Sequence, residues 1–159
     1  MYNYFECKIR YEKLDDNGVM KAVTEIYLVY AASHAEAENR IIEEMKPYVS
    51  GEVIVEGVKK LKIAELLDNE NGDRWYKVKI AFISVDEEKQ TEKRTAQQFY
   101  VKADAIKDAV TEVENNLKET EKMSDYEITA VIETAVIDVY DYKENVGNAF
   151  YDDDAEEEK

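Results

Sequence analysis

Asn69-Glu70-Asn71-Gly72-Asp73-Arg74-Trp75-Tyr76 decides the fold, because the chain turns there and then begins again what it has just completed. The stretch holds the only tryptophan and one of five glycines. Downstream, Trp75-Tyr76-Lys77-Val78-Lys79-Ile80-Ala81-Phe82 lies over Tyr4-Phe5-Glu6-Cys7-Lys8-Ile9-Arg10-Tyr11, with the Lys-Ile pair identical and aromatic matching aromatic. Residues 4 to 11 alternate, with Phe5, Cys7, Ile9 and Tyr11 on one face and Tyr4, Glu6, Lys8 and Arg10 on the other. That is the pattern of a half-buried strand.

The rest of each half follows in the same order. Asp15-Asp16-Asn17-Gly18 supplies the positive φ angles a hairpin turn needs, and Asp86-Glu87-Glu88-Lys89 stands in its place in the second half. A strand over 22–30 is rich in β-branched and aromatic residues, and Phe99-Tyr100-Val101-Lys102-Ala103 falls on Tyr27-Leu28-Val29-Tyr30-Ala31. Ser33-His34-Ala35-Glu36 is a capping box opening a helix to about Lys46, with Ala37, Ile41 and Met45 as its buried stripe and Pro47 as its stop. The second helix runs from about Ala105 to Glu119, with Asp104 expected as N-cap and Ile106, Ala109, Val110, Val113 and Leu117 as its stripe. Strand regions 53–67 and 126–140 close the halves, and a bulge is expected near Gly57.

The expected class is therefore α+β, a tandem duplication of a ββαβ unit with a mostly antiparallel sheet and two amphipathic helices. The first repeat spans 1–68, a connector 69–74, the second repeat 75–140, and an acidic tail without periodicity 141–159. Because the connector is short, one continuous sheet is the expected arrangement.

Composition narrows the function classes. At 159 residues with 45% hydrophobic content the chain can bury a core. Twelve tyrosines dominate its aromatics, a choice that suits both strands and stacking surfaces. Net charge is -16. The run from Asp152 to Lys159 holds six acids against one lysine, so -5 lies in the tail and -11 on the body. Such a surface repels phosphate backbones, and nucleic-acid binding is not expected. The single cysteine allows no intramolecular disulfide, the start at Met1-Tyr2-Asn3-Tyr4 has no secretory pattern, and no apolar run approaches the roughly 20 residues of a membrane span. A cytoplasmic protein without membrane contact is the expectation.

Phe5-Glu6-Cys7-Lys8, Ile41-Ile42-Glu43-Glu44-Met45-Lys46-Pro47 and, most specifically, Asn69-Glu70-Asn71-Gly72-Asp73-Arg74-Trp75 carry a resemblance across residues 4–140. The chain resembles an uncharacterised family of small proteins from gut anaerobes and their tailed phages, the domain of unknown function DUF4494. The resemblance implies a setting, a small intracellular and phage-encoded protein, and no chemistry.

The residues themselves give little for catalysis. A single histidine, His34, removes every triad or metal cluster that needs two. Cys7 faces inward with Phe5 and Ile9 and reads as a packed thiol. Asp68-Asn69-Glu70-Asn71-Gly72-Asp73 has oxygen ligands at alternate positions, but it lacks the closing glutamate and the downstream helix of a calcium loop, so it reads as a turn. No cofactor, metal site or enzymatic activity is expected.

One constellation points to binding. The outward face of the first strand carries Tyr4, Lys8 and Arg10, and its repeat carries Trp75, Lys77 and Lys79 with Arg74 beside them. Aromatic rings beside cations suit a base stacked over neutralised phosphates, although such a face also serves solubility and edge protection. The expected function is a non-catalytic protein that sequesters an anionic nucleotide-type immune signalling molecule and so counters host defence, held at a subunit or pseudo-twofold interface of a homo-oligomer. The alternative is an acidic protein-interaction module or DNA mimic that blocks a basic partner protein.

Overall fold

The computed structural model describes residues 1–120 and 125–141, and the acidic tail read from the sequence lies outside the described residues beyond Asp141. Eight strands and two helices follow in the order β1 (Asn3–Leu14), β2 (Met20–Ala31), α1 (His34–Met45), β3 (Ile54–Leu61), β4 (Glu65–Leu67), β5 (Arg74–Asp86), β6 (Thr91–Ala103), α2 (Ile106–Glu119), β7 (Asp125–Glu133) and β8 (Val136–Tyr140). The class is α+β, mostly sheet. The single sheet expected from the short connector is replaced by two four-stranded sheets, ordered β3-β1-β2-β8 and β4-β6-β5-β7. The chain gathers into two compact units, Met1–Leu61 with the segment from Val136 onward, and Lys62–Ala135.

Read from opposite edges, the two sheets have the same plan. A long antiparallel hairpin, β1 with β2 or β5 with β6, forms the centre. An antiparallel strand flanks one side, and a short parallel strand flanks the other, β8 beside β2 and β4 beside β6. The bulge also recurs. Register slips between Lys8 and Ile9 in the first sheet and between Lys79 and Ile80 in the second, the pair the sequence repeats unchanged. The extra residue opposite Lys8–Ile9 is Glu56, next to Gly57 where a bulge was expected.

The hairpin turns match as well. Asp15 Oδ1 accepts from the amides of Asn17 and Val19, both at 2.9 Å, and these bonds hold its carboxyl below the usual carboxylate range. Asp86 Oδ1 accepts from Glu88 and Lys89. Gly18 takes a left-handed φ of 79°, and Gln90 takes 52° in the second turn, where a side chain bears the steric cost that glycine avoids.

Each helix packs on one face of its own sheet. In the first unit Ala37, Ile41 and Met45 meet Phe5, Cys7, Ile9 and Val29. In the second, Ala109, Val113 and Leu117 meet Tyr76, Val78, Ile80 and Phe99. Ser33 caps α1 as expected, accepting from Glu36 N at 3.1 Å, while Glu36 Oε2 reaches back to Ala32 N. In α2 the N-cap is Ala105 rather than Asp104, with no side-chain cap bond, and Ile106, expected in the stripe, is exposed. The helix begins one residue later than the sequence suggested, so Ile106 is its first residue and lies at its exposed end.

The stretch from Asn69 to Tyr76 is where this plan is tightest. β4 and β5 lie on opposite sides of β6, so the connector must pass over the end of β6. It does so through a tight turn, with Gly72 N donating to Asn69 O at 2.9 Å and Asn71 N to Asn69 Oδ1 at 3.2 Å. Gly72 lies against the β6 backbone, where an added Cβ would stand 2.5 Å from Ala103 N. Backbone cannot yield as a flexible side chain can. Gly72→Ala should therefore cost about 1–3 kcal/mol in a denaturant titration. Gly51→Ala, where nothing lies within 4 Å, should cost nothing beyond the error of the same titration.

Candidate functional site

The aromatic–cation face expected from the sequence is only partly present. Tyr4 is 5% exposed, and its hydroxyl donates to Asp141 Oδ2 at 2.7 Å. Trp75 is 1% exposed, and its Nε1 has no hydrogen-bond partner among the described residues. Lys102 Nζ stands 6.0 Å from its ring centroid. Neither ring offers an open face on which a base could stack, so this part of the expectation is corrected. Lys8, Arg10, Arg74 and Lys79 are exposed and Lys77 is half-buried. Arg74 Nη1 lies 3.6 Å from Glu133 Oε1. Tyr4, Lys8 and Arg10 belong to one unit, and Arg74, Trp75, Lys77 and Lys79 to the other.

Cys7 and His34 have structural surroundings. Cys7 is fully buried, and burial, with Glu38 and Glu6 nearby, pushes its thiol up to about 12. At neutral pH it is a protonated thiol in a core. The His34 ring meets Phe5 edge-on at 4.9 Å. Among the described residues no group of three or more His, Cys, Asp or Glu could hold a metal ion. Among the described residues no helix is long and apolar enough to cross a membrane.

Among the described residues, a concave feature that gathers cations is in the second unit. A cavity of about 730 Å³ is lined by Lys62, Lys79 and Arg94, together with Gln98 and Thr129. No acidic residue is among the described residues that line it. Its volume falls within the range of small-molecule sites. It opens on the face of the sheet away from α2, as strand alternation requires. Tyr76, Val78 and Ile80 pack toward the helix, so Lys79 and Ala81 face the other way, and the register places Gln98 beside Lys79 and Ala96 beside Ala81.

The concavity has a cause in side-chain volume. Ala64, Ala81 and Ala96 line it, and the cross-strand pair Ala81–Ala96 leaves the sheet without side chains to fill that space. At the matching point of the first sheet the cross-strand pair is Arg10–Thr24, whose larger side chains stand there instead. The bulge shapes one wall. Thr129 is its extra residue, and Thr129 Oγ1 donates to Lys79 O at 3.3 Å. Another wall is the run into β4, where Gln98 Nε2 donates to Lys62 O at 2.8 Å and Ala64 N to Gln98 O at 2.9 Å.

The sequence reading thus found Lys79 and missed Lys62, Arg94, Gln98 and Thr129. The available signal was strand alternation through Arg94, Ala96 and Gln98, which places one cation and one amide on the face that Lys79 shares. Trp75→Ala should lower stability by about 3–5 kcal/mol in chemical denaturation, the cost of truncating a large buried ring. Lys79→Ala, at an exposed position, should stay within about 0.5 kcal/mol of the parent.

No curated protein and no solved structure matches the chain. A family model does. The description Domain of unknown function (DUF4494) covers residues 3–142, and the chain belongs to that family.

Proposed function

We propose that the protein binds, without transforming it, a small anionic ligand of the nucleotide type, in the cavity lined by Lys62, Lys79 and Arg94. The observation that carries this reading is the sign of the charge. In a chain of net charge -16, Lys62, Lys79 and Arg94 converge on one concavity whose described lining holds no carboxylate, and among the described residues only Arg94 of the three is in an ion pair, with Glu127 outside that lining. Local positive potential inside an acidic surface selects a compact anion, which can enter, over a long polyanion, which the rest of the surface repels. Lys offers a point charge to phosphate oxygens and Arg a planar fork of donors. Gln98, Thr129 and the alanine floor give the uncharged part of the ligand a mixed polar and apolar seat.

Sequestration asks only for affinity, so a nucleotide-type immune signal, captured by a phage-encoded protein, is the setting this reading favours. The ligand sits within one unit of the chain, and no subunit interface is needed to form the site. Isothermal titration against a panel of mono- and dinucleotides, run at two salt concentrations, tests it. One compound should bind, more weakly at high salt, and Lys79→Ala should lower its affinity at least about tenfold. Silence across the panel, or a Lys79→Ala variant that binds like the parent, would remove the proposal.

A further inference from the structure

One of the cations that line the cavity, Arg94, is held in an ion pair by a carboxylate outside the lining, Glu127. In the register of the second sheet, Arg94 on β6 stands opposite Ile83, and Glu127 on β7 stands opposite Ala81. Arg94 Nη2 and Glu127 Oε2 nevertheless meet at 2.5 Å. To do so the guanidinium must cross β5 diagonally on the open face, where Ala81 has only a methyl group to place in its way. The alanine that makes the floor of the cavity is also what lets this strap pass. The other two cations differ: among the described residues neither Lys62 nor Lys79 forms an ion pair.

We infer that Glu127 is an internal stand-in for the anionic group of the ligand, and that Arg94 exchanges the Glu127 carboxylate for that group on binding. This rests on the reading of the cavity as an anion site. A carboxylate and a phosphate present their oxygens to the guanidinium fork in the same way, so one can replace the other without moving the arginine far. The side chains are 46% and 58% exposed, so water and salt screen the pair and it yields at little cost. A tethered carboxylate at high local concentration still sets a threshold. A singly charged carboxylate ligand gains nothing over Glu127. A phosphate terminus with close to two charges does, and this makes Glu127 a selectivity residue for phosphate over carboxylate.

The test uses the full chain, inorganic pyrophosphate as probe, and the arginine reagent phenylglyoxal with mass spectrometry at Arg94. Glu127→Gln keeps the shape and removes the charge. It should bind pyrophosphate about two- to fivefold more tightly than the parent, the range a screened surface pair can withhold. Arg94 should be modified faster in the variant, and pyrophosphate should protect it in both proteins. Unchanged affinity together with an unchanged modification rate would overturn the inference and leave a structural ion pair. If Lys79→Ala loses pyrophosphate while Glu127→Gln binds like the parent, the cavity reading stands and the stand-in falls. If neither the parent nor Glu127→Gln binds pyrophosphate, both fall.

Discussion

Glu65–Leu67 pairs in parallel with Phe99–Val101, and Ile26–Val29 pairs in parallel with the strand that begins at Val136. Through these two short ladders each sheet receives its last strand from the opposite half of the sequence. A parallel neighbour cannot be supplied by a hairpin, and in this chain each is delivered by the other half of the sequence. Three features go with that arrangement. The connector at 68–73 must pass over the end of β6, Gly72 must lack a side chain where it passes, and the run Lys62–Ala64 is drawn alongside Gln98, where it becomes a wall of the cavity.

Against this shared plan the two units differ in chemistry. In the first, the hydroxyls of Tyr11 and Tyr27 both donate to Glu25 Oε1, at 2.8 and 3.0 Å, and Tyr140 of β8 stacks on Tyr27 at 5.8 Å. Burial, together with Glu25, pushes Tyr11 up to about 12 and raises Tyr27 as well, so the phenols stay protonated donors. At the matching positions of the second unit stand Phe82, Gln97 and Phe99. Gln97 pairs with Ile80 as Glu25 pairs with Ile9. The hydroxyls and the charge are absent together, and Gln97 Oε1 is buried with no partner among the described residues. On the other face the contrast runs the opposite way, with Arg10 and Thr24 in the first unit and the two alanines in the second. One unit has its polar network inside, and the other has its open concavity outside.

The sequence made the elements legible because its local signals agree. Alternation placed β1 and β5, the Asp-led turns placed both hairpins, apolar spacing placed the buried stripe of α1 and, apart from Ile106 and Val110, that of α2, and Gly57 marked the bulge. The number of sheets was not legible, since a six-residue connector fits either a neighbouring strand or a crossing over β6, and only pairing decides between them. The site was half legible. Alternation correctly put Lys79 on the open face, but it could not show that Tyr4 and Trp75 on the same faces are buried, because burial depends on packing that a strand pattern does not encode. Arg94 reaches the face of Lys79 through the β5–β6 hairpin, whereas Lys62 comes from a segment before the connector and joins them only because β4 pairs with β6.

If the cavity in the second unit receives the anion, backbone amide shifts of the full chain titrated with a phosphate-bearing ligand will locate it there. Perturbations should be confined to Lys62–Ala64, Lys79–Ala81, Arg94–Gln98 and Thr129, growing with ligand and shrinking with added salt. Perturbations centred on Tyr4, Lys8 and Arg10 instead, or scattered over both units, would contradict it.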